Sequence, residues 1–340
     1  MELPKISVTI AVLNEEDRLK ACVDSVRMQD YPQENIEIII ADGGSTDRTV
    51  KLAQDLGCKV VSNPRVTCEG GYAEAVKNAS HDWILYLDAD NRLVGNDWLK
   101  KSVNAMIENP DAVGAEPVYF EYLKDDPPAN RYCALFGIND PLAFYLGKRD
   151  RLMATEKSWT LPGRLLKETS DYFFMAFNKD SLPTVGSIGF LVRKKTLEKI
   201  NWYPYLFHMD SCLDLVTLGF NKFLMMKTAI DHRHCGDSVH FLKKLKRNAE
   251  LFLEFNDRRS YKWQSKKRKI MLISLFMATG VVPFIDALKG YLNKPDPAWF
   301  LHPYYSFVVV WMYSLKVIKW TVILKLRSFL KYLDPNALRS

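Results

Sequence analysis

Two carboxylates one residue apart, Asp88 and Asp90, close the apolar run WILYLDADNRL (Trp83–Leu93). Residues two apart in an extended segment point to the same side, so the pair is expected to converge on one point. Carboxylates that close repel unless a cation or a shared proton intervenes. A hard divalent ion, Mg2+ or Mn2+, suits carboxylate oxygens and would also hold a diphosphate. An isolated Asp-x-Asp begins many ordinary turns, so its weight comes from its company. Two other apolar runs also end in polar clusters: ISVTIAV is followed by Leu13 and Asn14-Glu15-Glu16, and IEIIIAD closes on Asp42-Gly43-Gly44. Further along, FHMDSCLDLVTLGF sets Asp210 and Asp214 four residues apart, on one helical face, and DHRHCGD carries His232 and His234.

These groups need elements to position them. The β-branched runs Ile6–Val12 and Ile36–Asp42 read as buried strands, Lys59–Val61 as a short third and Trp83–Leu87 as a fourth. Between them lie helical patterns: Leu19, Cys22, Val23 and Val26 share one face, Tyr72–Ala79 reads as a helix, and a helix from Asn96 buries Leu99, Val103 and Met106. Ser45 or Thr46 is placed to cap the helix after the second strand. Strands that alternate with helices and are apolar throughout predict an α/β architecture with a mostly parallel sheet covered on both faces. In such sheets ligands bind outside the carboxyl ends of the strands, where the three polar clusters fall.

The chain has 340 residues, 48% of them apolar, and a formal charge of +7. Eleven Lys and Arg lie between Lys243 and Lys269 against Glu250, Glu254 and Asp257, a net +8, so the remainder is nearly neutral. The basicity is a patch. Six cysteines show no CxxC pair and no zinc spacing, which fits reduced thiols. The N-terminal MELPKISVTIAV lacks a basic stretch followed by a cleavable apolar one, so the catalytic part is expected to stay in the cytoplasm.

The order ISVTIAVLNEE, IEIIIADGGSTDRT, ILYLDAD resembles the family 2 glycosyltransferases of the GT-A fold, over about the first two-thirds of the chain. The resemblance implies an inverting transferase that uses a nucleotide-diphosphate sugar and Mg2+ or Mn2+. It implies that Asp90 is the principal metal ligand and that Asp88 contacts the ribose or the metal. Val12, Asn14 and Glu15 would line the nucleotide pocket, and Asp42 would read the base. Many members carry Asp-Asp-Gly-Ser where this chain has Asp42-Gly43-Gly44-Ser45, so the nucleotide stays open between UDP and GDP. In EGGYAEAVKNA, relatives often place Arg near Glu74; here Gly70-Gly71 would give flexible approach to the donor. PTVGSIGFLVRKKTLEKI (Pro183–Ile200) resembles the family's acceptor loop, with Gly186 and Gly189 letting a sugar or phosphate near the backbone. Asp210 aligns with the family's general base, with Asp214 as its rival. A base takes the proton of a hydroxyl acceptor; an acceptor that is already a phosphate needs none, and Asp210 would then orient it. His234 would reach the metal or diphosphate, and Arg233 could neutralise phosphate.

The last third looks toward a membrane. Val239–Phe255 is amphipathic, with Leu242, Leu245, Ala249 and Phe252 on one face and Lys243, Lys244, Lys246 and Arg247 around the other. KKRK (Lys266–Lys269) precedes the uncharged Ile270–Ile285, shorter than the roughly 20 residues that span a bilayer. Pro283 and Asp286 are expected to end that segment. A second apolar stretch runs from Ala298 to Leu315, with Trp299, Tyr304, Tyr305, Trp311 and Tyr313 as interfacial anchors. Lys316–Leu333 reads as a basic helix in the headgroup plane. The division expected is a catalytic domain over 1–237, with a nucleotide-sugar half (1–117) and an acceptor half (118–237), then a basic helical linker (238–269) and C-terminal membrane-associated helices (270–340). Whether these span or lie on the membrane stays open; burial of all three against the enzyme is the soluble alternative. The implied partners are a nucleotide-sugar donor, a lipid-linked acceptor (polyprenyl phosphate or lipid-borne glycan) and the cell membrane, with the catalytic domain cytoplasmic. A sugar nucleotidyltransferase is the alternative, disfavoured because Leu13-Asn14-Glu15-Glu16 is acidic where a triphosphate loop is basic. A nucleic-acid partner is not expected: the basic run adjoins an uncharged one and holds few stacking aromatics. Without GxGxxG after the first strand, a dinucleotide-dependent oxidoreductase is disfavoured.

Overall fold

The computed structural model describes residues 3–255, 257–262 and 267–315. Among the described residues, ten strands form one sheet: β1 (Ile6–Val12), β2 (Ile36–Asp42), β3 (Lys59–Ser62), β4 (Trp83–Asp88), β5 (Asn91–Leu93), β6 (Gly114–Phe120), β7 (Arg164–Glu168), β8 (Tyr172–Ala176), β9 (Phe190–Arg193) and β10 (Lys222–His232). Their order is β3-β2-β1-β4-β9-β6-β10-β8-β7, with β5 paired to β10. The first four expected strands run parallel, and so do β6 and β10. However, β9 enters antiparallel between β4 and β6, and β5, β7 and β8 also pair antiparallel. The sheet is therefore mixed where a mostly parallel one is expected. Parallel neighbours need a long crossover, usually a helix; β7 and β8 are joined by a short turn and form a hairpin.

Burial follows the pleat. Ile6, Val8, Ile10, Ile38, Ile40, Leu85 and Leu87 pack on one face, and Ile39, Ala41, Ile84 and Tyr86 on the other. Helices Leu19–Arg27 and Trp98–Glu108 cover the first face through the residues their spacing predicts. Helix Cys68–Lys77 covers the second and starts before the expected Tyr72, because Thr67 Oγ1 accepts from the Gly70 N–H at 3.1 Å and caps it. Gly71 thus sits inside a helix. A Cβ there would lie 2.7 Å from the Ala11 Cβ, so the missing side chain lets the helix lie against β1. The space beside Gly71 is filled by protein and offers no open approach to a donor. Helix Thr49–Asp55 is capped by neither Ser45 nor Thr46; Asp47 Oδ1 accepts from the Thr49 N–H at 2.9 Å.

A third cluster joins the sheet domain to the C-terminal helices. Helix Ser238–Glu254 buries Phe241, Leu245 and Ala249. Tyr132 and Phe136, from helix Pro128–Phe136, pack with Phe241, Met277, Trp299, Tyr305 and Val309. The apolar run 270–285 is split between helices Lys267–Ala278 and Val281–Asn293 by Gly280, whose φ is 70°. Pro283 therefore does not end the segment. It falls in the first turn of the second helix, where its missing N–H breaks no bond. Residues 301–315 are helical. No single described helix is long and apolar enough to cross a membrane; the pair Arg268–Ala278 and Val281–Asn293 reaches that composition only together, bent by 70°.

The inner side of these helices is tied to the domain. The two nitrogens of buried His302 each lie 2.9 Å from a hydroxyl, of Tyr132 and Tyr145. Asp296 accepts from Arg131 at 2.9 Å and Tyr122 at 2.6 Å. Gly290 makes room for Trp299: a Cβ there would lie 2.4 Å from the indole. The outer side exposes Leu275, Phe276, Phe284, Leu292, Trp311 and Leu315. Of the aromatics expected as interfacial anchors, Trp299 and Tyr305 are core residues, and Tyr313 donates to Asp140 at 2.6 Å. Tyr304 and Trp311 face outward. The expected helix Lys316–Leu333 lies outside the described residues.

Candidate active site

The polar strand ends meet at one edge. The β1 pairings set Val12 opposite Asp42 and Ala11 opposite Asp88. The β5–β10 pairing sets Asn91 opposite His232, which brings the DHRHCGD segment to the same place.

Asp88 ends β4 with its carboxylate turned to Tyr72, whose hydroxyl donates at 2.8 Å, and to the Cys68 thiol at 3.7 Å. Burial, and then the Asp90 charge, push Asp88 up to about 6. The chain turns at Ala89-Asp90, so alternation along a strand no longer sets the direction. Asp90 Oδ1 lies 3.6 Å from His232 Nε2, and Oδ2 lies 3.0 Å from Lys244 Nζ and 3.8 Å from an Arg18 Nη. Asp90, His232 and His234 offer ligand atoms all within 4.8 Å of one another. Asp88 is not part of that cluster. Burial holds both imidazoles well below their ordinary pKa, aided by the Lys244 charge at His232 and by His232 at His234. They are therefore neutral, the form that binds metals. His232 Nδ1 is buried with no hydrogen-bond partner among the described residues. Two neutral imidazoles and a carboxylate fit a divalent transition ion, Mn2+ better than the oxygen-seeking Mg2+.

Beside the cluster, the loops after β1 and β2 are zipped together. Asn14 adopts φ 56°, a left-handed conformation that asparagine tolerates. Its Oδ1 accepts from the Thr46 N–H at 2.8 Å, and its N–H donates to Ser45 Oγ at 2.9 Å. Asp42 closes its own turn by accepting from the N–H groups of Gly44 at 2.9 Å and Ser45 at 3.1 Å. Val12 is buried. Glu15 pairs with Arg18 at 2.7 Å, and burial raises its carboxyl pKa. Arg18 thus bridges Glu15 and Asp90.

Asp210 lies in the first turn of helix His208–Thr217. This helix begins beside the first site, with the His208 ring 4.5 Å from that of Tyr72. Both Asp210 oxygens are engaged. Oδ2 accepts from Arg259 Nε at 3.0 Å and Nη2 at 2.8 Å, and Oδ1 from the Tyr261 N–H at 2.8 Å and Ser260 Oγ at 3.3 Å. Asp214 is half-buried, and burial raises its pKa. Gly186 and Gly189 are buried, with φ of 111° and 72°. A Cβ at Gly186 would lie 2.7 Å from Cys212 Sγ, and one at Gly189 3.0 Å from Ile230 Cδ1. These glycines serve backbone shape and close packing, so neither offers the open approach expected for an acceptor. The loop they belong to is clamped by charge: Glu116 accepts from the Gly186 N–H at 2.8 Å and pairs with Arg151 at 2.8 Å, and Arg151 donates to the Ile188 carbonyl at 2.8 Å. Arg233, expected near phosphate, pairs instead with Asp231 at 3.0 Å and with Asp126.

Four participants escaped the sequence reading. His232 was eclipsed by His234. Lys244 sits in a charge run that reads as solvated, although it falls three residues after the buried Phe241. Arg18 and Arg259 pair with acids far along the chain or across a turn, and no spacing announces them. A surface cavity of about 430 Å³ lined by Gly163, Arg164, Phe177, Asn178, Ser181 and Asn221 shares no residue with the polar strand ends.

Residues 7–167, just under half of the chain, match the family model described as Glycosyl transferase family 2. Among curated proteins, the chain is 32% identical over 105 residues to a dolichyl N-acetyl-alpha-D-glucosaminyl phosphate 3-beta-D-2,3-diacetamido-2,3-dideoxy-beta-D-glucuronosyltransferase of Methanococcus voltae, covering 29% of this chain and 32% of that protein. It is 35% identical over 112 residues to a poly(ribitol-phosphate) beta-glucosyltransferase of Bacillus spizizenii, covering 31% of this chain and 18% of that protein. The matches thus span a third or less of these relatives' length. Among solved structures, a mannosyltransferase from Pyrobaculum calidifontis in complex with GDP-Man and Mn2+ superimposes with a TM-score of 0.54 at 12% identity, covering 92% of this chain and 88% of that one. Its likeness is one of fold. Residues 7–167 thus match the family 2 glycosyltransferase model, and the mixed sheet that carries them has the GT-A fold.

Proposed function

We propose that the chain transfers a sugar, with inversion, from a UDP- or GDP-linked donor to an acceptor carried by a membrane lipid at the cytoplasmic face. The observation that carries this reading is the convergence of Asp90, His232 and His234 at the carboxyl ends of β4 and β10, within and beside a family 2 glycosyltransferase domain. Asp90 and the two histidines would hold the divalent ion, which, when bound, supplies positive charge to the departing diphosphate. Val12 and Asp42 end β1 and β2, and Asn14 belongs to the joined loops that follow, where a nucleoside would lie. Tyr72 holds the Asp88 carboxylate by a hydrogen bond and fixes its direction.

The state of Asp210 bears on the acceptor. Its oxygens are filled by Arg259, Ser260 and Tyr261, so it could take a proton from a hydroxyl only if that segment left. A phosphate acceptor needs no proton removed, and Arg259 would supply its counter-charge. This supports a polyprenyl phosphate over a glycan hydroxyl. Membrane attachment is supported by the exposed apolar side chains of helices Lys267–Ala278 and Val281–Asn293 and of residues 301–315, beside Arg268 and Lys269. The short, bent helices favour lying in the interface over crossing it.

The test is a panel of nucleotide-sugars with a membrane lipid extract, comparing wild type, Asp90→Ala and Asp210→Asn. Release of a nucleoside diphosphate with a labelled lipid is expected from wild type and lost in Asp90→Ala. Release of pyrophosphate with no lipid product would overturn the reading.

A further inference from the structure

The Asp90 carboxylate already has a cation. Lys244 places its ammonium 3.0 Å from Oδ2, with the Asp90 side chain only 10% exposed. The lysine is held there by the packing of its helix. Phe241 precedes it by three residues, Leu245 follows it, and both are buried. Ser238, at the start of the helix, accepts from the Tyr305 hydroxyl at 2.7 Å. The lysine backbone is thus fixed relative to the site, so a change of partner must come from rotation of its four-carbon side chain. Arg18 adds a second positive charge at 3.8 Å from Asp90. The two cations meet where Asp90 and Glu15 come together, with Arg18 reaching both acids.

We propose that Lys244 is a tethered cation: it neutralises Asp90 before a divalent ion binds, yields the carboxylate to that ion, and then pairs with the donor's diphosphate. The inference rests on the reading of the Asp90 cluster given above. Its physics is displacement. An ammonium and a divalent ion on one carboxylate repel strongly at contact distance, so the lysine leaves Asp90 when the ion arrives. It cannot go far, because its helix is anchored. A nucleoside diphosphate carries more negative charge than one divalent ion neutralises, and an ammonium is a good point-charge partner for phosphate oxygens. Lys244 would thus lower the affinity for the ion alone and raise the affinity for ion and nucleotide together, which disfavours idle metal occupancy.

This predicts opposite effects of one substitution. Mn2+ is titrated calorimetrically into the full chain without nucleotide, and UDP and GDP are then titrated at saturating Mn2+. Lys244→Met is expected to bind Mn2+ alone about tenfold more tightly than wild type, and the nucleotide it prefers about tenfold more weakly. A general packing defect does not tighten metal binding, so the first result is not mimicked by structural damage. Lys244→Arg is expected to restore nucleotide affinity. Lys246→Met, on the exposed side of the same helix, is expected to change neither. Lys244→Gln serves as a second variant, with thermal melting to check folding. If wild type binds Mn2+ and neither Lys244→Met nor Lys244→Gln binds it more tightly, the inference falls while the cluster keeps its role. If metal binding tightens but nucleotide affinity is unchanged, the lysine does not pair with the diphosphate and that half is overturned. If no protein binds Mn2+ with or without nucleotide, both the inference and the metal reading fall.

Discussion

Asp90 is the residue on which charge, geometry and sequence pattern coincide. It lies within contact distance of His232, Lys244 and Arg18. Asp90→Asn is expected to weaken Mn2+ binding by at least about 100-fold, and His232→Ala by about 10- to 100-fold, read by calorimetry. Mn2+ is expected to bind more tightly than Mg2+, because two of the three donors are nitrogen. Asp210 gives a prediction that separates acceptors. If the acceptor is a phosphate, Asp210→Asn retains most of its kcat, because an amide still accepts from the Tyr261 N–H and no proton must be taken. If a hydroxyl is the acceptor, the loss is about 100-fold or more. The measurement is the transfer rate to purified polyprenyl phosphate and to a lipid-borne glycan.

At the scale of elements, two buried polar clusters hold the site's surroundings. The Arg151–Glu116 pair is fully buried and bonds both sides of the 186–188 turn. Arg151→Met strands a buried carboxylate and is expected to destabilise by about 3–5 kcal/mol in chemical denaturation, and Arg151→Met with Glu116→Leu is expected to recover part of that. His302 is pushed down to about 3 by burial, against about 6.5 in an unfolded chain. A depressed histidine contributes stability that is complete above the unfolded value and is lost as pH falls toward the folded one. Between pH 7 and pH 4 the docking of the C-terminal helices is therefore expected to weaken by on the order of 3 kcal/mol. Hydrogen exchange in residues 281–309 reports it, and His302→Phe removes the dependence. How much of this was legible depends on where each element finds its partners. Strands β1, β2 and β4 announce themselves because each is apolar to its end and then abruptly polar. β7 did not, since all five of its residues are exposed and carry no alternation. The mixed pairing of β9 depends on contacts far along the chain, and local pattern says nothing about them. The Asp-x-Asp pair is readable as residues, and the Asp90 charge does reach Asp88; that Asp90 alone joins the two histidines is not readable, because the chain turns at Ala89-Asp90 where strand alternation no longer sets direction. Gly71, Gly186 and Gly189 were read as openings, yet each is empty of side chain so that a neighbour can fill the space.

For the whole molecule, the decisive property is that one helical layer has two faces. Its inner face packs on the sheet domain through Trp299, Tyr305 and Met277, and its outer face exposes Leu275, Phe276, Leu292 and Trp311. If that face enters lipid, vesicle binding survives 1 M salt, where charge attraction is screened within about 3 Å. Leu275→Asp with Phe276→Asp and Trp311→Asp is expected to release the protein from vesicles at any salt, measured by co-sedimentation. Complete release of the wild type by salt alone would overturn insertion. The close approach of Gly290 to Trp299 bears on this arrangement. A single methyl there would act as a wedge under the indole, with 2.4 Å of clearance where a carbon needs far more. Gly290→Ala should therefore prise this outward-facing apolar layer out of alignment and, because Trp299 shares its cluster with Phe241 and Tyr305, unsettle the floor on which the Lys244 helix rests, so that one carbon atom far from Asp90 is felt in the charge beside it.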